Sequence, residues 1–136
     1  MLSPSYEEIV RAPKALLHDS FATADAFLVA LKSGIEGFIV PSKVYGILAA
    51  GRPYVAATDP SSEAAQIARE SGCGLVAAPG DPAALAEAIA TLYDDPGMTR
   101  EMGTRARLAA RQYDRKVAVE SYHQLFARVV GVARAA

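Results

Sequence analysis

Three short apolar runs constrain the fold of this chain more than any other feature. Ala26-Phe27-Leu28-Val29-Ala30-Leu31, Pro53-Tyr54-Val55-Ala56-Ala57 and Gly74-Leu75-Val76-Ala77-Ala78 do not alternate between apolar and polar residues. That is the pattern of strands buried on both faces of a parallel sheet. Helical patterns over about 41–50 and 61–71 separate the runs. The order strand, helix, strand, helix, strand predicts right-handed βαβ crossovers, and the fold class is α/β: a Rossmann-like parallel sheet of about three strands with flanking helices.

Beyond the third run the chain reads as helix to its end. Asp81-Pro82, Asp95-Pro96 and Asp114 each stand where an N-cap belongs, so three helices follow in succession. In the first of them Leu85, Ile89, Leu92 and Tyr93 recur at helical spacing and form one stripe for the sheet. The last, over about 115–133, gathers Tyr122, Leu125, Phe126, Val129 and Val130 on a stripe that something must cover. Residues 1–25, interrupted by Pro4 and Pro13, read as one or two short helices.

With 136 residues the chain has room for one domain, and 51% hydrophobic against 21% charged residues gives it a core to bury. A net charge of -1 leaves no excess of Lys and Arg to neutralise a run of phosphates, which argues against nucleic acid as the partner. Cys73 is the single cysteine, so no intramolecular disulfide and no thiolate cluster can form. The first eight residues carry Glu7 and Glu8 where a signal peptide needs basic residues. The expected location is cytoplasmic.

The stretch from Ser33 to Pro53 holds the chemistry. Gly34 and Gly37 flank Glu36 just past the first strand, at the carboxyl edge where open parallel sheets bind ligands. Pro41-Ser42-Lys43 then opens a helix whose backbone N–H groups and dipole favour an anion, and Lys43 adds a positive charge. A phosphate or diphosphate fits such a tip. Equally, Ser42 can simply cap the helix while Lys43 faces solvent.

Rival motifs fail on their context. Gly72-Cys73-Gly74-Leu75-Val76-Ala77 spells G-x-G-x-x-A but enters a strand, whereas a dinucleotide fingerprint leaves one. No P-loop occurs. His18 and His123 stand alone, Asp94-Asp95 is a helix boundary, and no metal site is expected. Cys73 lacks a basic neighbour and reads as a small buried hydrophobe. Arg100, Arg105, Arg107, Arg111, Arg115 and Lys116 form a locally basic run. It reads either as the solvated face of a helix or as a patch for anionic membrane headgroups at the inner face of the membrane.

From Ala24-Asp25-Ala26 through Glu36-Gly37-Phe38, Pro41-Ser42-Lys43-Val44-Tyr45-Gly46-Ile47-Leu48-Ala49-Ala50-Gly51-Arg52-Pro53, Gly72-Cys73-Gly74-Leu75-Val76 and Pro79-Gly80-Asp81-Pro82, the chain resembles a family-4 (group 1) GT-B glycosyltransferase. It is especially similar to members that build bacterial exopolysaccharides, such as colanic-acid-type transferases. The resemblance covers roughly residues 16–130 and implies that residues 1–136 form a single, partial nucleotide-sugar-binding domain, the later part of the donor half of such an enzyme. It implies transfer of a sugar, hexosyltransferase-like, from a nucleotide-sugar to an acceptor hydroxyl. The nucleotide-sugar is then a substrate and no cofactor is expected.

Carried over by position, Gly34, Glu36 and Gly37 lie in the donor-sugar loop, Ser42 and Lys43 beside the diphosphate, and Tyr45 and Gly46 on the supporting helix. Gly46 occupies the place where the family often carries a ribose-binding glutamate. The catalytic residue is not assigned. The resemblance further implies an N-terminal acceptor domain or partner chain, an unpaired edge on the first strand, and little activity of this chain alone. The alternative is a non-catalytic nucleotide-sugar-binding or interaction module.

Overall fold

A computed structural model describes residues 16–32, 34 and 41–135. The part of the expected N-terminal helices before residue 16 lies outside these, as do Glu36 and Gly37. The described chain runs α1 (Leu17–Ala22), β1 (Phe27–Ala30), α2 (Lys43–Ala50), β2 (Tyr54–Ala57), α3 (Glu63–Glu70), β3 (Gly74–Ala77), α4 (Pro82–Asp94), α5 (Pro96–Ala110), a 3-10 turn (Arg111–Tyr113) and α6 (Arg115–Ala135). The strands form one parallel sheet in the order β1-β2-β3, with Phe27 opposite Tyr54 and Tyr54 opposite Gly74. This is the α/β, Rossmann-like arrangement that the three apolar runs predict.

Period-two alternation divides the sheet into two layers. On the first face Val29, Tyr54 and Ala56 pack with Val44, Ile47 and Leu48 of α2 and Ala64, Ile67 and Ala68 of α3. On the second face Val55 and Ala77 pack with Ala88 and Leu92 of α4. Helix α5 joins the layers: Met98 and Met102 touch the second cluster, Ala106 and Ala109 the first. Only β2, the central strand, is buried along its whole length.

The edge strand β1 departs from the expected two-sided burial. Leu28, in register with Val55 on the second face, is 47% exposed. Among the described residues β1 pairs with β2 alone, so its other edge is open. The amides of Phe27 and Leu31 donate to Pro53 and Ala57 of the β2 side, which leaves those of Leu28 and Ala30 directed outward by alternation.

The N-caps stand where the sequence places them. Asp81 accepts from the Ala83 and Ala84 amides, Asp95 from Met98 and Asp114 from Lys116. The apolar stripe of α4 is covered on one side only: Leu92 is buried and Leu85 partly so, but Ile89 is 49% and Tyr93 82% exposed. Ala84 and Ala88 face the sheet instead, because small residues let the helix approach it closely. Ile89, Leu92 and Tyr93 thereby line an open apolar groove of about 280 Å³ with Ala26, Leu28 and Val55. The α6 stripe is likewise uncovered among the described residues, with Phe126 63% exposed.

Candidate functional site

Helix α2 follows the carboxyl end of β1, so its N-terminus opens at the carboxyl edge of the sheet. Its apolar positions Val44, Ile47 and Leu48 are all buried against the first face, which fixes the helix axis. The helix ends at Gly51, whose φ of 67° is the left-handed C-cap conformation that glycine adopts at least cost. Two arginines hold this end: Arg52 donates to the Ala22 carbonyl of α1 at 2.6 Å, and Arg107 of α5 donates to Ala50 at 3.2 Å.

The opposite end is open. Ser42 occupies the N-cap position with helical backbone angles, and its side chain makes no capping hydrogen bond. The Val44 amide is taken by the Pro41 carbonyl at 2.9 Å, whereas no acceptor among the described residues takes the Ser42 or Lys43 amide. Ser42 and Lys43 are exposed, and Lys43 forms no ion pair among the described residues. The contrast with α3 is direct, since Ser62 there accepts from the Ala65 amide and is itself buried. Capping by Ser42, the reading that needs no ligand, does not occur.

Ser42, Lys43 and Gly46 share one groove of about 440 Å³ with Leu17 and Phe21 of α1. A Cβ at Gly46 would meet the tip of the Phe21 ring at 3.3 Å, so a glutamate at this position would first have to shift that ring. Gly34, on the loop after β1, is exposed with a φ of 87°. Glu36 and Gly37 lie outside the described residues, and the structure brings together only Ser42, Lys43 and Gly46 of the expected set.

Tyr45 faces another way. Its hydroxyl donates to Glu63 Oε1 of α3 at 2.7 Å and its ring lies 5.2 Å from that of Tyr113. Burial, then the hydrogen bond to Glu63, push its hydroxyl up to about 12. Sequence spacing gave no hint of this pair, which is 18 residues apart and joins two helices through the fold. The loop after β2 is also built at the carboxyl edge: Asp59 accepts from the amide and hydroxyl of Ser61, and those bonds hold its carboxyl below the usual range.

Other candidates resolve structurally. Cys73 is fully buried, and burial pushes its thiol up to about 11, the behaviour of a core residue rather than a nucleophile. Within the basic run Arg105 pairs with Glu101 and Arg107 caps α2, so two of its members serve the fold. No described helix is long and apolar enough to cross a membrane.

An open amide tip with a lysine, set at the carboxyl edge of a parallel sheet, suits an anionic ligand. Among known proteins, the family model "Glycosyl transferases group 1" matches residues 6–95, more than half of the chain, including the whole of β1 through α4. The chain belongs to the group 1 glycosyl transferases. The matched stretch stops at the start of α5, so the last two helices lie outside it. The chain is also 39% identical over 79 residues to a Pseudomonas aeruginosa protein described as "Probable glycosyltransferase WbjE". That alignment covers 58% of this chain and 20% of the relative, so the chain spans about a fifth of that relative's length. No solved structure matches the chain significantly.

Proposed function

We propose that this group 1 glycosyl transferase chain binds the diphosphate of a nucleotide-sugar and serves as the donor half of a hexosyltransferase. The observation that carries the reading is the tip of α2, where, among the described residues, nothing takes the Ser42 and Lys43 amides and Lys43 forms no ion pair. In the reaction the acceptor oxygen bonds to the anomeric carbon as the bond from that carbon to the diphosphate breaks, and the proton of the acceptor hydroxyl passes to the departing diphosphate or to solvent. Negative charge grows on the departing diphosphate. A helix dipole, two amides and an ammonium placed beside it stabilise that charge more in the transition state than in the donor. Glu36 and Gly37 are assigned to the sugar side of the same site, Gly34 to the turn before it, and Gly46 leaves room rather than contacting ribose. No cofactor is assigned.

The acceptor half is assigned to further polypeptide, in the same protein or a partner chain. Supporting this are the length of the relative and two apolar surfaces uncovered among the described residues, the α6 stripe and the groove beside Leu28. Membership of the exopolysaccharide-building, colanic-acid-type branch rests on the Pro41–Pro53 segment. Peripheral contact with anionic headgroups at the cytoplasmic membrane face is assigned to Arg100, Arg111, Arg115 and Lys116, which form no ion pairs among the described residues.

Calorimetric titration with a panel of nucleoside diphosphates and their sugar conjugates tests the reading. The expected result is saturable binding that Lys43→Ala weakens about three- to ten-fold, the size of one charge-assisted contact. Equal affinity of the native chain and the variant contradicts it.

A further inference from the structure

A helix tip that is to receive an anion cannot be closed by its own cap, yet an uncapped first turn frays. Helix α2 meets this conflict with a hold from the side. Tyr45, in its first turn, donates to Glu63 Oε1 in the first turn of α3 at 2.7 Å, and its ring packs at 5.2 Å on Tyr113. Glu63 is in turn fixed by a well-anchored helix start: Ser62 is buried, accepts from Ala65 and shares a 2.6 Å hydrogen bond with Thr58. The side chain of Val44, the neighbour of Tyr45, is buried in the first-face core. The Ser42 and Lys43 amides, which no acceptor among the described residues takes, lie on the N-terminal side of this anchored pair.

We infer that Tyr45 and Glu63 are positioning residues for the anion site: their hydrogen bond clamps the first turn of α2 to that of α3 and so preorganises the Ser42 and Lys43 amides without occupying them. This rests on the reading of α2 as the diphosphate site. Neither residue touches the anion. Glu63 acts as a hydrogen-bond acceptor, so its charge is dispensable while its oxygen is not.

The test pairs hydrogen exchange at the Ile47 and Leu48 amides, which report fraying of the first turn, with calorimetric binding of inorganic pyrophosphate. Tyr45→Phe keeps the ring contact with Tyr113 and removes the hydroxyl. It should speed exchange at both amides and weaken pyrophosphate binding about five-fold, the scale of one hydrogen bond. Glu63→Ala should do the same. Glu63→Gln, which retains an acceptor oxygen, should restore native exchange and native affinity. Native behaviour of Tyr45→Phe in both readouts overturns the clamp while leaving the site intact, and so does a Glu63→Gln variant as impaired as Glu63→Ala. If the native chain binds no pyrophosphate, the reading of the site falls, and the inference with it; faster exchange in Tyr45→Phe would then mark a purely structural tie.

Discussion

Gly103 of α5 lies directly against the carbonyl of Gly51: a Cβ at Gly103 would sit 2.5 Å from that oxygen and 3.6 Å from Cδ of Pro53. The absent side chain lets α5 pass beneath the amino ends of the strands and lock the C-terminal end of α2, where Arg107 also binds Ala50. Helix propensity alone favours alanine over glycine by about 1 kcal/mol, but here backbone meets backbone and nothing flexible can yield. Gly103→Ala is therefore expected to destabilise the chain by about 2–3 kcal/mol, read as a lower urea midpoint. A stabilised variant would contradict the packing of α5 on α2.

Two serines at equivalent helix starts should respond oppositely. Ser62→Ala removes a cap and the short hydrogen bond to the buried Thr58 hydroxyl, which keeps only its longer contact with the Asp59 carbonyl, at an expected cost of about 1–2 kcal/mol. Ser42 caps nothing, so Ser42→Ala should leave the urea midpoint unchanged within about 0.5 kcal/mol. A cost for Ser42→Ala comparable to that for Ser62→Ala would mean that Ser42 closes the tip after all.

The core and the uncovered stripe should likewise separate. Ile47 is fully buried between α2 and the sheet, and Ile47→Ala is expected to cost about 2–5 kcal/mol in chemical denaturation. Phe126 is 63% exposed on α6, so in this chain Phe126→Ser should change the midpoint by less than about 0.5 kcal/mol. A large loss from Phe126→Ser would show that α6 is packed in solution.

Stability should fall on the alkaline side. Cys73 and Tyr45 are uncharged at neutral pH, and burial raises the thiol from 9.0 to about 11 and the hydroxyl from 10.0 to about 12. Unfolded chain releases these protons first, so the contribution is complete below pH 9 and is lost as pH climbs through 11 and 12. Cys73→Ala should flatten the decline between pH 9 and 11 in urea midpoints measured against pH. An unchanged slope would place the thiol in contact with water.

Much of this architecture was legible because local signals carry it. Asp81, Asp95 and Asp114 cap by spacing of two or three residues, and the three apolar runs need only their own composition to declare themselves strands. What depends on neighbours was not legible. Periodicity puts Tyr93 on the same stripe as Leu92, but whether anything lies over it depends on which surfaces of the second layer are filled. The Tyr45–Glu63 bond spans two helices of separate βα units, so no motif announces it. Of the site, Ser42 and Lys43 were readable as a helix start, while the open state of that start follows only from where the Ser42 side chain goes.

The central claim is that the tip of α2 receives a diphosphate. A nitrogen-edited amide titration of the native chain with a nucleoside diphosphate tests it most directly. Saturable shifts are expected, largest at the Ser42 and Lys43 amides and weakened by added salt as charge recognition requires. Shifts confined to the groove around Leu28 and Tyr93, or none at Ser42 and Lys43 at saturating ligand, would contradict it.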